Sequence, residues 1–335
     1  MINYGNIIGN QEDWANLITN VEEQDAPFLD WLPTGDKPVN VLHQYQAEIY
    51  RDPVDNSQVD GKPVTGFLSA GDSRGTLKAL VQYMSKAAAV KKLHQDVSNI
   101  AGVEDELARE IDKSNWELST DIEAAFLEDD DHREDNTTVG YKTRGVGSWI
   151  STSAQSLYPV PSSFRPPSAS VITTATGSIT ENAIIDVLES VGNTVKSSKP
   201  MTAFCAPKAK RIFNNMPLFT PASVLVGGSP TGATGVVYNK GDVNTVGRVA
   251  ERYMTDYGVV DLRISWRNVF LGGNTIEKTY TTYFLHRDKW NLRWNQKPKW
   301  MRKEYQGGSY EAFCEAILML ECLNPKGEAK WQPTS

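Results

Sequence analysis

Between Val39 and Tyr50 the odd positions Val39, Val41, His43, Tyr45, Ala47 and Ile49 alternate with Asn40, Gln44, Gln46 and Glu48. A period of two with one wet side is the pattern of a strand. The run Thr76 to Val90 begins with the same period, Leu77, Ala79, Val81 and Tyr83 against Lys78, Leu80, Gln82 and Met84, and is the expected partner. Arg51 to Gly75 between them is rich in Asp, Gly, Pro and Ser, which predicts a long projecting hairpin with a polar tip. Such a ribbon buries too little to stand alone.

From Val103 to Leu127 the period changes. Val103, Leu107, Ile111, Leu118, Ile122 and Phe126 mark one helical face, with Glu104, Asp105, Arg109, Asp112, Lys113, Glu117 and Asp121 over much of the remainder. Asp105 to Arg109 and Arg109 to Asp112 are spaced to pair. Without proline or internal glycine, a helix of roughly 25 residues is about 40 Å long, a spine for a domain of this size. Ahead of the hairpin, Trp14, Leu17, Ile18 and Val21 recur at helical spacing, on a stripe too narrow to form a core. Ala26 to Pro33 then presents Phe28, Trp31 and Leu32 between prolines, a segment that needs its own body or another subunit to lie against.

After Glu128-Asp129-Asp130-Asp131 the helix is expected to stop, and Thr137 to Ser153 reads as turns and short strands kinked at Gly145-Val146-Gly147. The Pro/Ser-rich run Pro159 to Pro167 is a candidate boundary. Ser178-Ile179-Thr180-Glu181 fits a capping box opening a helix with Ile184, Ile185, Leu188 and Val191 inward. Thr202 to Ala206 reads as a buried strand, and Pro207 opens a helix through Met216. Val259 to Trp266, Thr279 to Leu285, Trp290 to Trp294 and Phe313 to Leu323 read as strands, with a turn near Asn324-Pro325-Lys326-Gly327.

Composition narrows the classes. At 335 residues and 40% apolar content the chain can hold one large or two medium domains with a real core. A net charge of −7 argues against a surface that binds nucleic acid by neutralising phosphates. No apolar run approaches membrane-spanning length and no leader pattern follows Met1, so a cytoplasmic product without an anchor is expected. Cys205, Cys314 and Cys322 are widely spaced in apolar contexts and read as buried thiols of a reducing compartment.

Candidate chemistry is sparse. The cluster Asp129, Asp130, Asp131, His132, Glu134 and Asp135 lacks the spacing of a calcium loop or a zinc site and reads as a solvated helix end; no metal is expected. Gly227 to Gly235 lacks the Gly-Lys-Ser/Thr ending of a phosphate loop and reads as a flexible surface loop. His43, His94, His132 and His286 are scattered, and there is no Gly-x-Ser-x-Gly elbow, so no catalytic residue, cofactor or enzyme activity is expected. Trp290, Trp294, Trp300, Tyr305 and Tyr310 interleave with Arg287, Arg293, Lys297, Lys299, Arg302 and Lys303. That interleaving could form a surface for single-stranded nucleic acid or sugar; the favoured reading is sheet packing with charge complementarity to acidic neighbours.

Pro27-Phe28-Leu29-Asp30-Trp31-Leu32-Pro33 leading into Val41-Leu42-His43-Gln44-Tyr45-Gln46 resembles the N-terminal arm and extended loop of tailed-bacteriophage major capsid proteins, in the SU-ten-like branch of the Hong Kong 97-like superfamily. Glu106-Leu107-Ala108 through Asp121-Ile122-Glu123-Ala124-Ala125-Phe126-Leu127 resembles the spine helix, and Arg144 to Ile150 the segment after it. Ala206 to Ile212 is similar to the capsomer-centre domain, and Glu315 to Asn324 with Pro325 and Lys326 to the closing strand. The matches cover most of the chain in order. The resemblance implies an α+β fold: an N-terminal arm (1–38), an extended hairpin loop (39–92), a peripheral domain with the spine helix (93–167), a mixed α/β axial domain (168–278) and a return to the peripheral domain (279–335).

It also implies a shell of pentamers and hexamers around double-stranded DNA, assembled in the host cytoplasm as part of a virion. Contacts between subunits are then expected at Trp14, Phe28, Trp31, Leu32, Tyr45, Tyr50 and Arg51, and at Lys62, Phe67, Arg74, Arg144, Arg293 and Arg302; Lys142 is a further candidate. The implied partners are further copies of the chain, scaffolding and portal proteins, a decoration protein in some heads, and packaged DNA by weak non-specific contact, with no membrane. A fold starting almost at Met1 predicts no fused scaffold, and no marked Lys/Asn pair predicts no cross-link. The alternatives are another phage structural or decoration protein, an encapsulin-type shell, or an enzyme built on the acidic cluster.

Overall fold

Five consecutive buried residues, Met201–Cys205, form the strand around which the larger part of the molecule is organised. The computed structural model describes residues 26–55, 57–63, 73–97, 105–196, 198–215, 252–255, 257–266 and 279–333. Their elements in chain order are α1 (Pro27–Trp31), β1 (Thr34–Gly35), β2 (Leu42–Glu48), β3 (Arg74–Leu80), β4 (Gln82–Lys91), α2 (Lys92–Val97), α3 (Glu106–Leu127), α4 (Val146–Trp149), β5 (Val171–Ile172), α5 (Glu181–Val195), β6 (Met201–Cys205), α6 (Pro207–Asn215), β7 (Arg252–Thr255), β8 (Gly258–Ile264), β9 (Thr282–Leu285), β10 (Trp290–Arg302), β11 (Ser309–Cys322) and β12 (Ala329–Trp331). The chain divides into two compact units: Met84–Thr120 with Gln296–Ala316, and Ala26–Tyr83 with Asp121–Asn295 and Ile317–Ser335.

In the second unit β6 is a central strand of a mixed sheet ordered β5-β12-β9-β6-β8-β7. It pairs parallel with β8 and antiparallel with β9. A strand flanked on both sides and covered on both faces reads as a continuous apolar run. One face of β6, Met201, Ala203 and Cys205, packs with Ile184, Val187, Leu188 and Val191 of α5 and with Phe213 of α6. On α5 the cap is Thr180, whose hydroxyl accepts from Ala183 N at 3.3 Å, so the box at Ser178 is displaced by two residues, and Val187 rather than Ile185 is buried.

The other face of β6 receives α1. Phe28 and Trp31 each meet Phe204 edge-on with ring centroids 5.1 Å apart, and Trp31 Nε1 donates to Thr202 Oγ1 at 3.1 Å. The buried Glu123 carboxylate of α3 accepts from Phe28 N at 3.2 Å and from Ser265 Oγ at 2.8 Å. Phe28, Trp31 and Leu32 are therefore part of their own subunit's core.

In the first unit the helix α3 lies on β4, β10 and β11, through Val90, Leu107 and Ala312 with Ile111, Trp300 and Tyr310. Asp105 does not pair with Arg109; its carboxylate accepts from Ala108 N at 3.0 Å and caps the helix, as expected of an aspartate just before a first turn. Trp290 is buried, Trp300 packs in this core and Tyr305 lies against Tyr310 at 5.0 Å, which is the sheet-packing role rather than a stacking platform. The run Thr76 to Val90 is split. β3 pairs antiparallel with β2 from Leu42↔Leu80 to Glu48↔Arg74, whereas β4 leaves the hairpin for the sheet β1-β10-β11-β4. Short β1 and β12, each with too few residues to show a period, escaped the sequence reading. The Gly227 to Gly235 loop lies outside the described residues.

Candidate assembly interface

The hairpin β2–β3 is a two-stranded sheet of its own within the second unit and is fastened there to β11. Alternation puts His43 and Tyr45 inward. His43 Nε2 lies 3.2 Å from Glu321 Oε1, and the Tyr45 hydroxyl donates to the Cys322 carbonyl. Glu321 is fully buried and also accepts from Asn291 Nδ2 at 2.9 Å and from Arg293 Nε at 2.7 Å. Arg293 Nη1 reaches the Asp36 carbonyl at 2.9 Å. A buried carboxylate with three donors is satisfied, whereas removing its cation would strand it. Burial pushes the Tyr45 phenol well above its ordinary value, which keeps it a donor.

Further along the ribbon Gly75 sits against Phe164 so closely that a Cβ would overlap the ring. Beyond that contact the strand and α5 diverge around a cleft of about 1140 Å³, lined by Tyr45 to Tyr50 on one wall and by Asp186, Glu189, Asn193 and Lys196 on the other. Across its mouth Lys196 Nζ is 3.2 Å from Asp52 Oδ1, with both side chains largely in water, so this pair contributes little.

At the base of the hairpin the acidic run after α3 is used up by cations of its own chain. Lys142 bridges Glu128 at 2.7 Å and Asp130 at 2.6 Å, Lys330 lies 3.2 Å from Asp129, and Arg144 Nε donates to Asp131 at 2.8 Å. Arg144 is fully buried, donates through Nη2 to the carbonyls of Leu157 and Tyr158, and stacks over Trp149 at 4.7 Å. The solvated-terminus expectation is corrected: the carboxylates knit the end of α3 to the segment 142–158 and to β12. For Asp131 burial raises the carboxyl, but the Arg144 charge and backbone N–H donors outweigh it and the net shift is downward. Asp130 is likewise raised by burial and lowered further by Lys142, and Glu128 is raised by burial. His132 Nε2 accepts from Leu80 N at 3.3 Å, and burial with the Arg144 charge brings its pKa down to about 3, so it stays neutral while holding the end of β3.

The expected contact residues therefore fall into three groups. Phe28, Trp31, Leu32, Arg144 and, by its hydroxyl, Tyr45 are engaged inside their own chain, and Arg293 is held by Glu321; Lys142 is spent in the same way. Tyr50, Arg51, Lys62, Arg74 and Arg302 are exposed, Tyr50 at 92%. Trp14 and Phe67 lie outside the described residues. The roles of Glu123 and Glu321 were missed; each is one polar residue in an apolar stretch, a signal that the sequence does show, whereas His132 sits in a charged run that gives no sign of its burial. Cys205, Cys314 and Cys322 are free and buried, and burial pushes the Cys205 thiol up to about 12. Among the described residues no cluster of three or more His, Cys, Asp or Glu is arranged to hold a metal, and no helix is long and apolar enough to cross a membrane.

Comparison with solved structures places this architecture. The structure of Mycobacterium phage Adephagia is similar at a TM-score of 0.61 and 9% identity, over 100% of this chain and 99% of that one. The capsid of a native GTA particle is similar at 0.60 and 10%, over 97% and 96%, and the capsid of Myoviridae phage XM1 at 0.55 and 12%, over 96% of each. At such identities the likeness shows the fold, which is the Hong Kong 97-like fold of tailed-phage shell subunits. No curated protein matches the sequence. The family model described as SU10 major capsid protein matches residues 1–332, and the chain belongs to that family. It is a structural protein of the tailed-phage head and not an enzyme.

Proposed function

We infer that copies of this chain close into pentamers and hexamers of an icosahedral shell around double-stranded DNA, and that the outer part of the hairpin is the contact each copy lays on its neighbour. The observation that supports this is a set of apolar side chains without cover among the described residues of the outer hairpin: Tyr50 is 92% exposed, Val59 73% and Val54 63%. Covering each such side chain is worth about 1.5–3 kcal/mol, weak singly and strong when repeated around a closed shell. Arg51, Lys62, Arg74 and Arg302 are the charged groups of this reading, setting register more than affinity. The segments 1–38, 39–92, 93–167, 168–278 and 279–335 then serve as arm, extended loop, peripheral domain, axial domain and peripheral return. Scaffolding and portal proteins, with a decoration protein where the head carries one, are the further partners. The net charge of −7 suits weak, non-specific contact with packaged DNA.

The test is the triple substitution Tyr50→Ser, Val54→Ser and Val59→Ser, followed by electron microscopy and by melting of the unassembled subunit. Loss of shells with an unchanged melting temperature is the expected result. Normal shells would remove the hairpin from the mechanism.

A further inference from the structure

The ribbon β2–β3 is held at its root by two histidines, one against each strand. Leu42 pairs with Leu80 and His43 with Ala79, and Val81 N donates to the Val41 carbonyl at 3.0 Å, so these residues form the first rungs. On β2, His43 Nε2 lies 3.2 Å from Glu321 Oε1 of β11. On β3, Leu80 N donates to His132 Nε2 at 3.3 Å. Just past Leu80 the chain leaves the ribbon, because Val81 separates β3 from β4 and β4 joins another sheet.

The two contacts respond to protons in different ways. An imidazole accepts a backbone N–H only through a ring nitrogen that carries no proton. Burial and the Arg144 charge keep His132 in that state down to about 3, against the opposing charge of Asp131. His43 instead donates to Glu321, as a neutral ring with its proton on Nε2 and more strongly as a cation. Solvent reaches it, with 22% of its side chain exposed, whereas Glu321 is fully buried. Glu321 favours the cation, and Arg293, whose Nε lies 2.7 Å from the other carboxylate oxygen, opposes it. Asn291 adds a neutral donor to that oxygen. Tyr45, stacked on His43 at 5.7 Å, and Cys322 are both pushed well above their ordinary values, chiefly by burial, and stay uncharged. Of the two histidines, only His43 is left to answer to pH where that side chain ordinarily titrates, about pH 5 to 8.

We propose that His43 and Glu321 form a proton-operated clasp on the ribbon, closed when the imidazole is cationic and eased when it is neutral, with the His132 contact as a fixed pivot. Its use rests on the reading of this ribbon as the contact laid on a neighbour: the clasp then sets how firmly a free copy holds its own ribbon. Easing the hold on β2 while β3 stays pinned at Leu80 lets the ribbon swing about its root without leaving the body.

The experiment is amide hydrogen exchange on the unassembled full-length subunit at about pH 5 and about pH 8, with each rate divided by the intrinsic rate at that pH. A charge-assisted hydrogen bond is roughly twice as strong as a neutral one, so protection in β2 and β3 is expected to fall about fivefold from the lower pH to the higher, while β6 keeps its protection. His43→Gln retains an N–H donor for Glu321 but cannot titrate, and its ribbon should show the same protection at both pH values. The wild-type comparison stands by itself should that variant fold poorly. Equal ribbon protection at the two pH values in the wild type overturns the clasp, as does a slope that persists in His43→Gln. Because no neighbour is present, failure here leaves the hairpin's contact role to the shell assay, and normal shells from the triple variant leave the clasp standing as a property of the free subunit.

Discussion

Replacing Phe28 by alanine separates a core role for the arm from a role between subunits. The ring is fully buried in its own chain, edge-on to Phe204 with centroids 5.1 Å apart and stacked on Trp31 at 5.9 Å. Truncating a phenylalanine in such surroundings removes its transfer free energy and leaves a cavity, together about 3–5 kcal/mol. β6 is flanked by strands on both sides, so the cavity cannot easily collapse. For a cooperative unit of about 150–250 residues each kcal/mol moves the melting temperature by about 2–4 °C, so a fall of roughly 6–20 °C is expected. The assay is thermal and urea denaturation of the unassembled subunit, where no neighbour can contribute. An unchanged free subunit with loss of shells alone would refute the reasoning and return Phe28 to the interface.

Three further outcomes follow from the hairpin and the segment at its base. Arg144→Met leaves Asp131 without its cation and should cost the free subunit about 3–5 kcal/mol in urea unfolding; unchanged stability with impaired assembly would contradict the burial of Arg144. Gly75→Ala places a methyl against the Phe164 ring and should cost about 1–3 kcal/mol, seen as faster amide exchange in β2 and β3 with slower exchange elsewhere retained; unaltered exchange would show that the ribbon does not rest there. Asp130 and Asp131 have folded pKa values below their unfolded ones, so their contribution is complete above the unfolded value near about 4 and is lost as pH falls through the folded values. Glu128, raised by burial, acts in the opposite sense, favouring the folded state as it protonates. The deficit of Asp131→Asn in urea should therefore be largest near pH 6 and narrow below about pH 4; a constant deficit would show that Asp131 carries no native charge interaction.

The long-range pattern of the fold was legible where a period ran for several turns or residues. α3, α5, the β2–β3 ribbon and the buried run at β6 each repeat enough to expose a face, and their inward residues are largely those the spacing marks. What stayed hidden depends on partners distant in sequence. Asp129, Asp130 and Asp131 look solvated until Lys142, Arg144 and Lys330 arrive from 12 to about 200 residues away. Phe28 and Trp31 look unhoused until β6 supplies Phe204 and Thr202. Arg144 and Arg293 look like surface charges because nothing local indicates that their carboxylates, Asp131 and Glu321, are held within the same chain. An exposed apolar segment and one that docks on its own body have the same composition, and only the tertiary contact distinguishes them.

The most direct test of the central claim is cryo-electron microscopy of the purified full-length protein under assembly conditions. The account predicts closed icosahedral shells of pentamers and hexamers in which Phe28 and Trp31 lie on β6 of their own subunit while Tyr50, Val54 and Val59 are covered by a neighbour. Persistent monomers or dimers, or shells in which that hairpin touches only its own chain, would contradict it.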